Sequence, residues 1–381
     1  MSLPPALDRR LSPRQRDLAL RAWPWLAPGA FVGGFLLDAL TLRRVDDVGD
    51  NLQLTLFLLG SALLLVLERR AWHGRATLGL VASHRAATRL GLQFFFGGLF
   101  SAYVIFYSQS ATFGPSLLFC LLLAALMLAN ELWFEDLRTD LPQLALWFFC
   151  ALSYLLFALP TWTGHLGSVT RVAAGLLALL LSTGLLALVH LGEVVDPAPP
   201  RPGPPTSLRQ ALPAHLGTWA AMLAALFLLV AVGAVPPVPL ALAEAGVYRE
   251  VRRDGDQVVL SYERPPWWAP WRDDERVFAH SDGDRVYVFT AVFAPGGAGV
   301  RILHAWEHQQ PDGSWQETDR IPFDMQGGRD GGWRSWTAKR NVSPGQWGVR
   351  VLSEHGDRLG RVDLEIRPRE GEARERVEVR Y

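Results

Sequence analysis

The sequence predicts a two-part protein, an all-α bundle that spans a membrane followed by an all-β sandwich. Half of the 381 residues are hydrophobic and only 19% are charged. The charges are unevenly placed, since residues 1–243 carry 16 basic and 13 acidic side chains whereas residues 244–381 carry 21 and 24. Near residue 240, long apolar runs also give way to short alternating stretches. We therefore expect lipid-facing helices first and a water-facing module after them.

The overall charge limits the classes of partner. The chain has 37 basic and 37 acidic side chains, so its net charge is zero. No electrostatic excess attracts it to nucleic acid, and we expect no nucleic-acid partner. The apolar excess excludes a disordered chain and a simple soluble domain. The first expected partner is therefore the lipid bilayer.

Seven apolar stretches have about the length that a helix needs to cross ~30 Å of hydrocarbon. They cover residues 23–42, 52–67, 90–107, 113–129, 144–162, 172–189 and 216–235. The last five contain no charged residue, so lipid tolerates every side chain while the backbone groups pair within each helix. The first contains Asp38 and the second is only 16 residues long. Six or eight helices therefore remain alternatives to seven.

The placement of arginine predicts the orientation, because basic residues near helix ends are retained in the cytoplasm. Only Arg43, Arg44 and Arg171 lie in the loops of the opposite side. Thirteen arginines lie before the first span or in the loops of the same side: Arg9, Arg10, Arg14, Arg16, Arg21, Arg69, Arg70, Arg75, Arg85, Arg89, Arg138, Arg201 and Arg209. We expect a bacterial inner-membrane protein with a cytoplasmic N-terminus and, after seven crossings, a periplasmic C-terminal domain.

The same features predict the segment boundaries. They are a cytoplasmic segment 1–22, a six-helix membrane region 23–191, a Pro-rich cytoplasmic linker 192–214, a seventh membrane helix 215–236, a linker 237–245, a periplasmic β-sandwich 246–367 and a charged tail 368–381. Ala241 and Ala243 have the small-x-small spacing of a signal-peptidase site. The surrounding prolines favour a stiff linker instead, and cleavage after Ala243 stays open.

Ionisable side chains inside a bilayer cost about 2.5–3.5 kcal/mol and persist mainly where they serve a function. The polar candidates in the spans are Asp38, Asn130, Glu131 and His190, all near helix ends. The alternative is an interfacial group whose polar end reaches water. The absence of paired broken helices argues against an ion-coupled transporter, whereas a channel or lipid-handling protein stays open. Because both cysteines of the chain fall in predicted helices, the exported domain has no disulfide framework.

The C-terminal part alternates in the manner of β-strands. Three pairs of alternating segments flank Gly-containing turns: residues 247–253 and 257–263, 285–294 and 300–309, and 346–354 and 358–367. We expect three hairpins in an immunoglobulin-like sandwich. Alternation predicts a core made by Ile302, His304, Trp306, His308, Trp347, Val349, Val351, Val362, Leu364 and Ile366.

The tryptophan pattern of this part carries a family resemblance. The run His304-Ala305-Trp306-Glu307-His308 is followed by residues 333–340, 344–351 and 356–360, which are also rich in Trp and Gly. Over residues 285–367 this order and spacing resembles the bacterial family known as domain of unknown function 2914. Members of that family often carry a multi-helix membrane region upstream, so the resemblance implies an envelope protein. It implies no reaction.

No catalytic or metal-binding motif appears in the sequence. HExxH, CxxC, GxSxG and GxxxxGK[ST] are all missing. His304 and His308 share one face of a strand, but no further ligands can be placed beside them, and a hydrogen-bonded core histidine is the simpler interpretation. We therefore expect no metal, no cofactor and no catalytic residue.

The best binding candidates are tryptophans in a Pro-rich loop, Trp267, Trp268 and Trp271, together with Arg334 and Trp336. Exposed aromatic residues on a β scaffold fit an envelope glycan or a periplasmic or membrane protein. The alternative is a loop folded over the sandwich or resting at the membrane interface.

The sequence thus favours a non-catalytic binding, sensing or scaffolding component of the cell envelope. The rival interpretation is a membrane-embedded enzyme or a lipid or solute transporter with an accessory domain. The two differ in one feature, because an enzyme or carrier needs a cavity that polar groups of the helices reach.

Overall fold

The computed structural model describes residues 33–42, 44–72, 85–110, 115–133, 140–191, 207–269, 271–296, 299–328, 331–372 and 374–381. The predicted cytoplasmic segment 1–22, the start of the first span and most of the linker 192–214 lie outside these residues. The chain divides into two compact units. The helical unit contains Met1–Ile105, Leu122–Ala151 and Leu179–Trp219, and the mixed unit contains Phe106–Leu121, Leu152–Ala178 and Ala220–Tyr381.

The N-terminal half is helical, as predicted. Its described helices are α1 (33–41), α2 (Val48–Trp72), α3 (Arg85–Gln109), α4 (Pro115–Trp133), α5 (Asp140–Thr163), α6 (Ser168–His190) and α7 (Leu208–Ala231). In the described part of the chain, α2, α3, α5, α6 and α7 are long and apolar enough to cross a membrane. Helix α4 contributes a shorter apolar segment, Leu117–Leu128. Five of the seven predicted spans therefore meet the length and hydropathy of a crossing.

Two helices differ from the predicted bounds. Helix α2 has 25 residues instead of 16, because it continues through polar residues at both ends, including Asp50 and Arg70. Helix α7 begins within the predicted linker, at Leu208, and ends at Ala231 instead of residue 235. Its end is capped by Gly233, which adopts a φ of 70°.

The cap of α7 satisfies the last carbonyl groups of the helix. The amide of Ala234 donates to the carbonyl of Leu229 at 2.8 Å, and the amide of Gly233 donates to the carbonyl of Val230 at 3.0 Å. This pair of bonds is the Schellman arrangement, and the prolines that follow prevent further helix. The chain therefore leaves the helix four residues earlier than hydropathy alone indicates.

The C-terminal half forms eleven strands within the described residues. They are β1 (Ala241–Tyr248), β2 (Glu250–Asp254), β3 (Gln257–Glu263), β4 (Val277–His280), β5 (Val286–Phe293), β6 (Gly299–Gln309), β7 (Trp315–Gln326), β8 (Trp333–Lys339), β9 (Gly345–Ser353), β10 (Arg358–Pro368) and β11 (Arg376–Arg380). They make three sheets, with orders β1-β5-β8, β4-β10-β9-β6-β7 and β11-β3-β2. All neighbouring pairs are antiparallel except β4 and β10.

Two of the three predicted hairpins form. Strands β2 and β3 pair across Gly255, whose φ is 61°, and β9 pairs with β10. The hairpin predicted from residues 285–294 and 300–309 was wrong, because β5 pairs with β1 and β8 whereas β6 pairs with β7 and β9. The predicted strand 247–253 is likewise divided between β1 and β2, which belong to different sheets.

The predicted core is buried, apart from His308, which is half-exposed. One core cluster joins Val247, Val286 and Val288 of the β1-β5-β8 sheet to Trp306, Trp347 and their neighbours in the five-stranded sheet. The two sheets therefore pack face to face. The opposite face of β6 is also covered, since Ala305 and Glu307 are buried. Glu307 lies between the guanidinium groups of Arg350 and Arg361.

Both ends of the β-rich region differ from expectation. Ala241 and Leu242, in the cleavage-like string, belong to β1 and pair with Phe293 and Val292. Cleavage after Ala243 would therefore remove the first residues of a paired strand. The predicted charged tail, 368–381, contains β11, which pairs with β3 through all five of its residues.

Candidate functional site

The three loop tryptophans lie on the surface of the mixed unit, between β3 and β4. Trp267, Trp268 and Trp271 are 89%, 57% and 76% exposed. Ala269, between them, is fully buried. Its amide donates to the carbonyl of Pro266 at 2.9 Å, and the amide of Arg272 donates to the carbonyl of Ala269 at 3.1 Å. The loop is therefore a pair of tight turns fixed at Ala269, from which the indole rings project outward.

The C-terminal end of the loop is fixed by a buried arginine. Arg249 approaches the carboxylates of Glu263 and Glu275, each at 3.0 Å, and its guanidinium lies 4.2 Å from the ring of Phe278. Glu275 also accepts from the amide of Glu263 at 2.7 Å. Burial raises the pKa of Glu275, and the charge of Arg249 opposes this effect. The loop is thus attached to a buried cluster of charged side chains, the Arg249 base.

Charged and hydroxyl groups flank the exposed rings. The hydroxyl of Tyr381 donates its proton to the carboxylate of Glu244, and Asp273 Oδ2 lies 3.4 Å from the same hydroxyl oxygen. Burial raises the pKa of Glu244, and the hydroxyl of Tyr381 counteracts it. The guanidinium of Arg272 lies 5.8 Å from the ring of Trp268. The loop therefore offers apolar ring faces next to groups that donate and accept hydrogen bonds.

The second predicted pair lies on β8. Trp336 is half-buried and packs on a cluster that contains Tyr248, Leu260 and Phe289, so much of its ring serves the core. Arg334 is half-exposed, and its charge lowers the pKa of Glu244. Of this pair, Arg334 thus belongs to the charged surroundings of the loop, whereas Trp336 does not offer a free ring face.

The histidines of β6 have structural surroundings. His304 is fully buried, with Nε2 at 3.0 Å from Thr290 Oγ1 and Nδ1 at 3.0 Å from Thr337 Oγ1. Burial lowers its pKa to about 3. His308 packs on Trp347 with 4.6 Å between ring centroids. Among the described residues, no group of three or more His, Cys, Asp or Glu side chains could hold a metal ion.

A second candidate site is an open cleft of about 570 Å³ in the helical unit. Its wall combines the half-buried carboxylate of Asp38 with Gln53, Gln93 and Ser101. The rest of the lining is mainly apolar, with Phe57 and Phe94 among the aromatic residues. Of the two span candidates whose side chains the structure describes, Asp38 lines this cleft and His190 does not.

The other three polar residues singled out in the predicted spans belong to α6 and α4. His190 is the buried last residue of α6. Asn130 and Glu131 lie in α4, and their side chains are outside the described residues. Gln53, Gln93 and Ser101 were not predicted from the sequence, because uncharged polar residues are common in membrane helices. Nor was the buried pair of Arg69 and Asp140, at 3.3 Å, whose charges lie inside helix ends that extend beyond the apolar runs.

The family comparison agrees with the order of the tryptophans in the five-stranded sheet. Residues 300–366 match the family described as Protein of unknown function (DUF2914). The DUF2914 segment contains β6 to β10, and with them Trp306 and Trp347 of the core. The loop tryptophans precede this segment. None of the curated proteins matches the chain.

One solved structure that matches is the Pseudomonas fluorescens alkylpurine DNA glycosylase AlkC, bound to DNA containing an abasic site analog. The identity is 12%, and the match covers 85% of this chain and 99% of that chain, with a TM-score of 0.19. At this TM-score the likeness carries no argument about fold or ligand.

Proposed function

We propose that this chain is a bacterial inner-membrane protein that binds an envelope glycan through the loop of Trp267, Trp268 and Trp271, without catalysing a reaction. Five candidate spans and a β-rich accessory region support a membrane protein. The arginine distribution supports a cytoplasmic N-terminus and a periplasmic β-rich region. Binding at the loop is the function that the exposed residues support best.

The observation that carries this proposal is the exposure of three tryptophans on one fixed loop. Covering an aromatic side chain removes on the order of 150–250 Å² of its surface from water. Three uncovered indole rings are therefore unfavourable without a partner. Because Ala269 and the Arg249 base hold the loop, little conformational entropy is lost when a ligand binds.

The neighbouring charges favour a glycan over the bilayer interface. Sugar rings present apolar faces edged by hydroxyl groups, and the loop offers flat indole faces beside Arg272 and Asp273. Asp273 and Asp274 are matched by Arg272 and by Arg276, which lies 2.6 Å from Asp274, so the loop has no positive excess that draws it to an anionic membrane surface. These features support stacking against a neutral, hydroxyl-rich polymer.

We also propose that the β-rich region is a variant of the immunoglobulin-like sandwich. The face-to-face packing of two sheets around Trp306 supports this assignment. The parallel pair of β4 and β10 and the third sheet depart from the usual arrangement. A variant with an added sheet accommodates both features.

The glycan proposal is tested by co-sedimentation of the full-length protein, in detergent, with insoluble peptidoglycan. The triple variant Trp267→Ala, Trp268→Ala, Trp271→Ala is compared with Trp315→Ala, which removes an exposed tryptophan of β7, outside the loop. We expect the triple variant to lose about tenfold in affinity or more, and Trp315→Ala to bind like the wild type.

Two outcomes would overturn the glycan proposal. One is a wild-type protein that does not sediment with peptidoglycan, or a triple variant that sediments equally well. The other is protection of the loop tryptophans from an aqueous quencher when the protein is in nanodiscs without glycan. Such protection would place the loop in the bilayer interface.

The alternative function is a membrane-embedded enzyme or a lipid or solute carrier. The cleft beside Asp38 favours it, because polar groups of three helices reach one cavity. This cleft and the tryptophan loop belong to different units, so the two functions are tested separately.

A further inference from the structure

We propose that the cleft beside Asp38 binds a membrane amphiphile whose head group carries a protonated primary amine, with phosphatidylethanolamine as the representative lipid. The cleft volume of about 570 Å³ lies within the range of small-molecule sites. This inference extends the alternative function and does not depend on the tryptophan loop.

The helix register places three of the four polar residues, Asp38, Gln53 and Ser101, at one end of the cleft. Helices α2 and α3 are in close contact, since a Cβ at Gly98 would lie 2.5 Å from the ring of Phe57. Gln53 lies about one turn before Phe57, and Ser101 about one turn after Gly98. Because the two helices run in opposite directions, Gln53 and Ser101 are level, and Asp38 of α1 faces Ser101.

The negative charge at this end of the cleft favours a bound cation. Asp38 is half-buried, and no basic residue is among the described residues that line the cleft. Nor does Asp38 make an ion pair within the described part of the chain. A carboxylate in such a place is stabilised by an opposite charge that also donates hydrogen bonds. Ser101 is 4% exposed. Within the described residues, no group meets both the distance and the angle of a hydrogen bond to its hydroxyl.

The other end of the cleft fits an acyl chain. Leu90 lies 11 residues from Ser101 along α3, a distance of about 16 Å. Between these levels the wall includes Phe57 and Phe94, with Leu37 contributed by α1, and Gln93 is its one polar side chain among the described residues. The cleft is open, so an acyl chain can enter it from the surrounding lipid. A bare metal ion would use the carboxylate but would leave this apolar length without a role.

The primary amine distinguishes the proposed ligand from other lipids. A protonated primary amine supplies one positive charge and three N–H donors, which match one carboxylate with a hydroxyl and an amide oxygen beside it. A choline head has the charge without the donors, and a glycerol head in an anionic lipid has donors with the wrong charge. The three lipids can therefore be separated in one experiment with identical acyl chains.

The experiment reconstitutes the full-length protein into nanodiscs that contain equal parts of phosphatidylethanolamine, phosphatidylcholine and phosphatidylglycerol. Native mass spectrometry then counts the lipids retained after release. Asp38→Asn keeps the shape of the cleft and removes its charge. Gly34→Leu fills the cleft, because Gly34 lines it and no described residue lies within 4 Å of a Cβ at this position.

Gly33→Leu is the matched control. No described residue lies within 4 Å of a Cβ at Gly33 either, and Gly33 is not among the residues that line the cleft. Both leucine variants replace glycine in the same helix by a better helix former, so neither is expected to unfold the protein. The pair therefore separates filling the cleft from a general effect of leucine in α1.

We expect the wild type and Gly33→Leu to retain phosphatidylethanolamine in preference to the other two lipids. Asp38→Asn should reduce this retention about tenfold or more, as loss of a charge-assisted hydrogen bond does, and Gly34→Leu should reduce it equally. Equal retention of the three lipids by the wild type would overturn the proposal. So would Asp38→Asn or Gly34→Leu variants that retain phosphatidylethanolamine like Gly33→Leu. Neither result bears on peptidoglycan binding by the tryptophan loop.

Discussion

Arg171, in the first turn of α6, donates to the carboxylate of Asp357, in the turn between β9 and β10, at 2.8 Å. Both side chains are 24% exposed. Asp357 is itself held in the turn, where its backbone amide donates to the hydroxyl of Ser353 at 3.1 Å. Within the mixed unit, this ion pair joins a membrane-type helix to the β-rich region through a loop that the sequence analysis treated as a plain hairpin turn.

The ion pair should contribute modestly to stability. Asp357→Asn keeps the shape of the turn and removes the charge, so we expect a loss of about 1 kcal/mol, as is typical of partly exposed pairs. The melting temperature of the full-length protein in detergent should then fall by roughly 2–4 °C. The charge-reversed double variant Arg171→Asp, Asp357→Arg should recover part of the loss. If the single and double variants melt alike, the two charges are not coupled.

His304 should make the β-rich region sensitive to acid. Its folded pKa is about 3 because it is buried, whereas an unfolded histidine titrates near pH 6.5. The unfolded chain therefore binds the proton more tightly, and the free energy of unfolding decreases as pH falls below about 6.5. The slope is at most ~1.4 kcal/mol per pH unit, and it ends near pH 3. Above pH 6.5 the full stability is present.

The measurement compares unfolding of the wild type and His304→Gln between pH 7.5 and 4.5. Glutamine can replace the hydrogen bonds to Thr290 and Thr337 without titrating. We expect the variant to lose less stability than the wild type over this range, since the carboxylates titrate in both proteins. Parallel pH profiles would show that His304 is not the buried neutral group described above.

Arg249 should be one of the most sensitive positions of the β-rich region. Arg249→Met leaves the buried carboxylate of Glu275 without its cation, and breaking a buried pair in this way costs about 3–5 kcal/mol. The double variant Arg249→Met, Glu275→Gln removes the orphaned charge and should regain a substantial part of that loss. Chemical unfolding monitored by tryptophan fluorescence checks both. A double variant no more stable than Arg249→Met would contradict the pairing.

Local and long-range features of the fold were predictable to different degrees. The hairpin of β9 and β10 was predictable because Gly356 marks a tight turn between adjacent strands. The partners of β5 were not, because it pairs with β1 and β8, which are distant in sequence. The strand in the tail had a signal in the alternation of Val377 and Val379 with charged residues, but the segment was predicted only as a charged tail.

The candidate sites show the same division. The tryptophan loop could be located from its prolines and from its lack of strand periodicity. The cleft could not, since apolar membrane helices carry little information about which faces meet. Asp38 was recognisable as costly in lipid, but its neighbours Gln53 and Ser101 come from helices whose packing depends on the close approach at Gly98.

Tyr381 should link the last strand to the base of the tryptophan loop. Its amide and carbonyl both bond to Val258 at 2.9 Å, and its ring lies 5.7 Å from that of Phe289. Its hydroxyl donates to Glu244, and the hydroxyl oxygen also lies 3.4 Å from Oδ2 of Asp273, two residues beyond Trp271. Burial and the nearby Glu244 carboxylate raise the pKa of this tyrosine, so it remains a donor throughout the physiological range.

Removing the hydroxyl and removing the ring should therefore have separable effects. Tyr381→Phe leaves Glu244 without its donor and should cost about 1 kcal/mol, whereas Tyr381→Ala also loses the contact with Phe289 and should cost roughly 2–3 kcal/mol. Only the hydroxyl reaches Asp273, so Tyr381→Phe should already expose the loop to faster proteolysis near Trp271. Thermal unfolding and limited proteolysis of the full-length variants check the two effects. Proteolysis that quickens only in Tyr381→Ala would mean that packing of the ring on Phe289, not the hydroxyl, holds the loop.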